Sequence, residues 1–194
     1  RVNVLCVDKT GTITEPKMEV EKTIPVSTSK ESLTKEISIF AQNMPHDNAT
    51  IKAVAKAFNQ KFNVQATQII PFTSVNKYSG AVVNGNTLLM GAPEFVLRDQ
   101  FEAYEKEINQ YTSQGYRVLA FAKYPEVLKD EKQKLSKEVE LLGYILISNP
   151  IRKEAKSTFE YFDRQGVNIK VISGDNPLTV ARVAKQAGIR DANK

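Results

Sequence analysis

Histidine and cysteine each occur once in the 194 residues, as His46 and Cys6, and those scarcities exclude whole kinds of chemistry. A lone cysteine cannot close an intramolecular disulfide, which fits a reducing compartment. Cys6 lies in the apolar run Val2-Asn3-Val4-Leu5-Cys6-Val7 and is expected in the core. A lone histidine leaves no second member for a His-based metal site or a catalytic triad; His46 reads as a loop residue. No apolar run approaches the roughly eighteen residues that span a bilayer, and the N-terminus lacks the charged and apolar regions of a signal peptide, so the chain as given reads as soluble. Repeats and low-complexity segments are absent. The formal charge of +5 is spread through Lys-rich stretches without a long basic block or interleaved aromatics. That pattern favours a solvated surface over nucleic-acid binding.

What is present is the composition of an ordinary globular protein, long enough for one large domain or two small ones. The first eight residues read as an apolar strand that delivers Asp8 at its C-terminal end, and a chain that starts inside a strand is expected to belong to something longer. Thr28 and Glu31 form a candidate capping box for a helix to about Gln42. Asn48 is placed to cap a second helix, with Ile51, Val54, Ala55, Phe58 and Phe62 on one face. Strands are expected up to Phe72, over 78–83 and over 87–90, the last two joined by an Asn84-Gly85 turn. A helix over 100–114, a strand over 117–122, a charged helix over 126–135 and a strand over 141–147 complete an α+β middle. After Asn149-Pro150 the pattern alternates: a helix over 152–165, a strand over 167–172, a Ser-Gly-Asp-Asn turn, and a helix over 177–187. Such alternation favours parallel strands. The fold class is therefore α/β plus α+β: a discontinuous α/β domain, residues 1–16 and 150–194, with residues 17–149 inserted as an antiparallel sheet flanked by helices.

Asp8-Lys9-Thr10-Gly11-Thr12-Ile13-Thr14 sets an acid, an ammonium, hydroxyls and a glycine directly after a strand, where open α/β sheets bind ligands. Backbone N–H groups around Gly11 and the Thr12 hydroxyl can hold phosphoryl oxygens, and Asp8 can ligate Mg2+ or attack phosphorus. As the isolated pattern Asp-x-Thr-Gly-Thr, an ordinary strand-to-loop turn is an equal reading. Val171-Ile172-Ser173-Gly174-Asp175-Asn176 is a second strand running into a polar turn and a helix N-terminus, suited to an anion or simply to capping.

The full seven-residue string resembles the phosphorylation motif of the P-type cation-transporting ATPases, whose core fold is that of the haloacid dehalogenase superfamily. The resemblance implies that Asp8 accepts the γ-phosphoryl group of ATP as an aspartyl phosphate, and that the Thr10 carbonyl joins Asp8 in holding Mg2+. It makes Lys9, Thr12, Ser173, Gly174 and Asp175 further catalytic residues, with Ser173 where the family has threonine. Related phosphatases carry a second aspartate at the position of Thr10, so a longer-lived acyl phosphate is expected here. Pro71 to Lys77 resembles the segment in which an aromatic, here Phe72, stacks on adenine and a lysine, here Lys77, lines the pocket. Met90-Gly91-Ala92-Pro93-Glu94 is similar to a Lys-Gly-Ala-Pro-Glu motif, with Gly91 admitting the nucleotide and Met90 removing one cation. Arg117 matches an arginine that reaches the phosphates. Asn149-Pro150-Ile151-Arg152 is similar to a hinge motif that normally opens with Asp, and it places Asn149 and Arg152 among the nucleotide-binding residues. Asn48 and Thr50 occupy a segment that touches adenine in related pumps, beside the helix-cap role open to Asn48.

By that resemblance the chain is an ATP-binding and phosphorylation fragment, with ATP and Mg2+ as ligands, from the cytoplasmic side of a bacterial plasma-membrane pump. Its partners are the transported cation and the actuator and transmembrane domains of the same protein, and the fragment is expected to be monomeric. The motifs are nearer to calcium-type than to heavy-metal pumps, with magnesium or another cation as alternatives. The later lysine and the Gly-Asp-Gly-Val-Asn-Asp segment that complete the family's Mg2+ site do not occur in the sequence. The fragment is therefore expected to bind ATP with little turnover. A soluble phosphatase that uses Asp8 as nucleophile, and a nucleotide-sensing module without phosphoryl transfer, are the competing readings.

Overall fold

The computed structural model describes residues 2–174 and 177–190, together with the side chains of all of these but Leu178. The chain divides into two compact units, one of Arg1–Met18, Asn109–Arg117 and Ser148–Lys194, the other of Glu19–Ile108 and Val118–Ile147.

In the first unit, β1 (Val4–Asp8) pairs in parallel with a strand from the far end of the sequence, Asn168–Ile172, in the register Val4↔Asn168 to Asp8↔Ile172. A parallel pair needs a long crossover, and here most of the chain supplies it. Alternation along β1 sends Leu5 and Val7 to one face and Val4, Cys6 and Asp8 to the other. The first face packs on a core of Ile13, Ala155, Phe159, Ala184, Ala187 and Ile189, joined by Ile169 and Val171. Cys6 falls on the second face and is exposed, correcting the expectation that it is core: an apolar run says nothing about which of its two faces is covered.

The second unit is built on a six-stranded sheet in the order β2-β7-β6-β5-β4-β3. Its elements in chain order are β2 (Glu19–Pro25), α1 (Lys30–Asn43), α2 (Ala49–Ala57), β3 (Gln68–Ile70), β4 (Tyr78–Val83), β5 (Asn86–Gly91), α3 (Pro93–Leu97), α4 (Phe101–Ser113, whose last residues belong to the first unit), β6 (Arg117–Tyr124) and β7 (Glu140–Ser148). The first unit then resumes with α5 (Ala155–Arg164), β8 (Asn168–Ile172) and α6 (Pro177–Gln186). Strands β3 to β6 are successive antiparallel neighbours, and the β4–β5 hairpin turns at Asn84-Gly85, both with positive φ, as a two-residue hairpin loop requires. Helix α1 lays Leu33, Ile37 and Phe40 on the sheet; Phe40 meets Phe121 edge to face with centroids 5.6 Å apart.

Three local expectations need correction. Helix α1 is capped by Ser29, whose Oγ accepts the Ser32 N–H at 3.1 Å, so the Thr28–Glu31 box does not form. Helix α2 ends at Ala57, leaving Phe58 as its C-cap and Phe62 beyond it. Residues 126–135 contain no helix. That segment is instead held by side chains from the sheet and the turn after α3. Thr87 Oγ1 donates to Glu126 O at 2.7 Å and accepts the Leu128 N–H at 3.1 Å. Arg98 donates to the carbonyls of Leu135 and Lys137, and Gln100 pairs with both backbone groups of Val139. Lys- and Glu-rich composition favours a helix only weakly, and this set of tertiary bonds outweighs it.

Thr87 is fully buried, so removing its hydroxyl leaves the buried Leu128 N–H and the half-buried Glu126 carbonyl without their partner. Thr87→Val keeps the shape and is expected to cost about 1–3 kcal/mol in chemical denaturation, with faster amide exchange confined to the 126–139 segment.

Candidate functional site

The phosphoryl-type loop begins where β1 ends. Asp8 is exposed, and its Oδ1 accepts the Lys9 N–H at 2.9 Å. From there the backbone folds into a tight turn closed by Thr14, whose N–H and Oγ1 both donate to the Lys9 carbonyl, at 3.0 and 3.3 Å. Gly11 takes φ +82°, a left-handed conformation that costs a side-chain-bearing residue about 1–2 kcal/mol. Thr10 and Thr12 stand exposed around the loop, while Lys9, Ile13 and Thr14 are buried beneath it. Thr14, which anchors the loop, was not singled out by sequence; its only signal was a polar residue closing the motif.

The β1–β8 register brings the second motif to this loop. Asp8 lies opposite Ile172, so Ser173 and Gly174 leave the sheet at the same carboxyl edge as Asp8. Ser173 is half-buried and Gly174 exposed. Asp175 lies outside the described residues. Among the described residues no group of three or more His, Cys, Asp or Glu side chains is placed to hold a metal ion. An exposed carboxylate suits Mg2+, which keeps waters and substrate phosphates as its other ligands, and Asp8 is such a group.

Asn149 and Arg152 also gather at this loop. The Asn149 amide donates to the carbonyls of Lys17 and Glu15 at 2.9 and 3.3 Å, and the Arg152 guanidinium donates to Gly11 O at 2.6 Å. Glu15 forms an ion pair with Lys17 at 2.9 Å. That contact, with the positive charges of Arg152 and Lys153 nearby, holds the Glu15 carboxyl below the usual carboxylate range.

In the second unit Phe72 and Lys77 lie in the loop joining β3 to β4. Phe72 is 54% exposed and Lys77 is exposed, consistent with an aromatic face and a cation offered to solvent. Between them the chain makes a turn in which Thr73 Oγ1 accepts the Asn76 N–H at 3.0 Å and Thr73 O accepts the Lys77 N–H at 2.9 Å. Lys77 thereby adopts φ +57°. The Asn76 side chain ties the turn to Glu131 O at 2.6 Å. Gly91 follows in space: the Ala92 N–H donates to Lys77 O at 2.9 Å, and a Cβ on Gly91 would lie 2.5 Å from Tyr78 Cα and closer still to the Lys77 carbonyl. Met90 is buried at 5% exposure, an environment that explains an apolar residue where a lysine was the pattern. Asn48 caps α2, its Oδ1 accepting the Ile51 N–H at 3.0 Å, and Thr50 is half-buried in the first turn of that helix. Arg117 is exposed at the first position of β6 and groups with the first unit.

Over residues 2–193 the chain matches the family described as haloacid dehalogenase-like hydrolase. It is 33% identical to the probable cation-transporting ATPase exp7 of Streptococcus pneumoniae, over 98% of this chain and 24% of that protein. It is 34% identical to the calcium-transporting ATPase CtpE of Mycobacterium tuberculosis, over 97% of this chain and 24% of that protein. Among solved structures it resembles a zinc-transporting PIB-type ATPase in the E2.Pi state, with a TM-score of 0.73 at 23% identity, covering 97% of this chain and 28% of that one. The chain thus spans about a quarter of the length of these relatives.

The Lys77–Tyr78 backbone leaves no room for a side chain at Gly91. Gly91→Ala is expected to displace the Lys77–Tyr78 backbone and lower stability by about 1–3 kcal/mol, with NMR shift changes concentrated at residues 76–79 and 91–92.

Proposed function

The chain belongs to the haloacid dehalogenase-like hydrolase family, and we propose that it is the cytoplasmic nucleotide-binding and phosphorylation portion of a P-type, cation-transporting ATPase. The observation that supports the reading is the register of β1 on β8, which pairs Asp8 with Ile172 so that the exposed Asp8 and the Ser173 turn leave the sheet at the same edge. Residues 1–16 and 150–194 form the phosphorylation domain of this reading, and 17–149 its nucleotide-binding insert.

In the proposed reaction an Asp8 oxygen attacks the γ-phosphorus of ATP. The bond from that phosphorus to the β,γ-bridging oxygen breaks, ADP departs, and an aspartyl phosphate remains for water to hydrolyse. Lys9 balances the charge, and the Gly11 turn and Thr12 and Ser173 hydroxyls orient the equatorial oxygens. Asp175 would complete the carboxylate set. Mg2+, held by Asp8 and the Thr10 carbonyl, would supply charge neutralisation at the phosphates. Thr10 has no carboxyl to activate water, which favours a persistent acyl phosphate over a phosphatase cycle. Phe72, Lys77 and Gly91 hold the base, with Arg117 and Arg152 toward the phosphates and Asn48 and Thr50 at the margin.

Calcium is the cation we assign, on the strength of the calcium-transporting relative named above, with magnesium or another cation distinguished by transport assay. Among the described residues no helix is long and apolar enough to cross a membrane, so ion choice on this reading is made by membrane segments outside the matched quarter. This chain alone is expected to bind ATP with little turnover.

In the longer protein carrying this chain, ATP with Mg2+ should yield an acid-stable, hydroxylamine-labile phosphate, lost to background in Asp8→Asn. Labelling that persists in the Asn variant, or that never appears in the wild type, would sink the assignment.

A further inference from the structure

Two strands of chain, 13–17 and 149–152, run alongside one another next to the phosphoryl-type loop. Thr14 bridges Ile151 in antiparallel fashion, the Glu15 N–H donates to Pro150 O at 2.8 Å, and the Arg152 N–H donates to Ile13 O at 3.0 Å. The ladder then stops at Pro150, which has no N–H to give. Beyond it the carbonyls of Glu15 and Lys17 both turn to the Asn149 side chain, at 3.3 and 2.9 Å.

Both partners are acceptors, so the group between them must donate twice. A primary amide has two N–H bonds for this; an ionised carboxylate has none. Aspartate, of the same shape as asparagine, would set a charged oxygen against two carbonyl oxygens. The requirement at this position is therefore for a neutral double donor, which is how the departure from the Asp-Pro pattern becomes intelligible. One turn on, Arg152 reaches the Gly11 carbonyl at 2.6 Å, so the same segment grips the loop at its left-handed residue and at its exit.

We propose that Asn149 is a positioning residue that presets the Asp8–Thr14 loop, using its amide as an uncharged double donor to brace the chain leaving the loop. Being uncharged, the brace neither titrates near neutral pH nor competes with a phosphoryl group for nearby cations. The proposal rests on the preceding reading only for what the loop is for; the brace itself is a property of the unliganded chain.

The test is amide exchange by NMR in the 194-residue chain without nucleotide, comparing wild type with Asn149→Asp and Asn149→Ala. At pH 7 both variants should lose at least about tenfold of the protection of the Glu15 and Arg152 amides, while β1 and β8 amides keep theirs and report that the unit remains folded. The Asp variant, which sets a charged oxygen against the two carbonyls, should lose at least as much protection as the Ala variant, which only removes the donors. Lys17, Arg152 and Lys153 surround the neighbouring Glu15, so the introduced acid stays ionised at this pH. Wild-type protection of the Glu15 and Arg152 amides in either variant overturns the proposal. Because no nucleotide is present, that result would leave the phosphorylation reading standing, and failure of Asp8 labelling would leave the brace standing.

Discussion

The parallel pairing of β1 with β8 is the constraint on which the first unit depends. It joins residues from opposite ends of the sequence in a register that sets Asp8 against Ile172, and everything chemical follows from that edge. The strands stop together, so the two polar turns leave the sheet side by side. The covered face, Val7 with Ile169 and Val171, rests on Ile13, Phe159, Ala184 and Ala187. Ile13 belongs to the phosphoryl-type loop itself. The loop is thus anchored by burial from below while Asp8, Thr10 and Thr12 stay exposed.

The second unit solves a different problem, presenting an aromatic face and a cation on an antiparallel sheet without burying them. Its device is a turn that closes on backbone: Thr73 accepts twice, Lys77 is pushed into a left-handed conformation, and the absence of a side chain on Gly91 lets Ala92 lock the Lys77 carbonyl. Strain at Lys77 of about 1–2 kcal/mol is offset by these bonds and by the Asn76 contact with Glu131. The turn fixes the Lys77 backbone and so the direction in which its Cα–Cβ bond leaves the chain.

Much of this was legible before any coordinates. The strand ending in Asp8, the Asn84-Gly85 hairpin and the α/β alternation after Pro150 are short-range signals written in period and turn chemistry, and each is where the periodicity put it. Two of the misreadings turn on partners distant in sequence. Charged residues 126–135 carry helical composition, yet Thr87, Arg98 and Gln100 offer their backbone better bonds than a helix would. Cys6 looked like core because a strand's sequence does not reveal that only one face is covered. The β2 strand escaped notice because Glu19, Glu21 and Lys22 break its apolar pattern. Met90 and Asn149 registered as departures from a motif, and only the contacts around them give a physical reason: burial in one case, two facing carbonyls in the other.

The nucleotide-binding reading of the second unit is tested most directly by an NMR titration of the isotope-labelled chain with ATP, with GTP as control. The account predicts saturable shifts at Phe72, Lys77 and Gly91 at about millimolar ATP or below, with GTP weaker. Amides at those residues that stay unmoved through ATP saturation would contradict it and leave Asp8 as the nucleophile of a phosphatase-like site without a nucleotide partner.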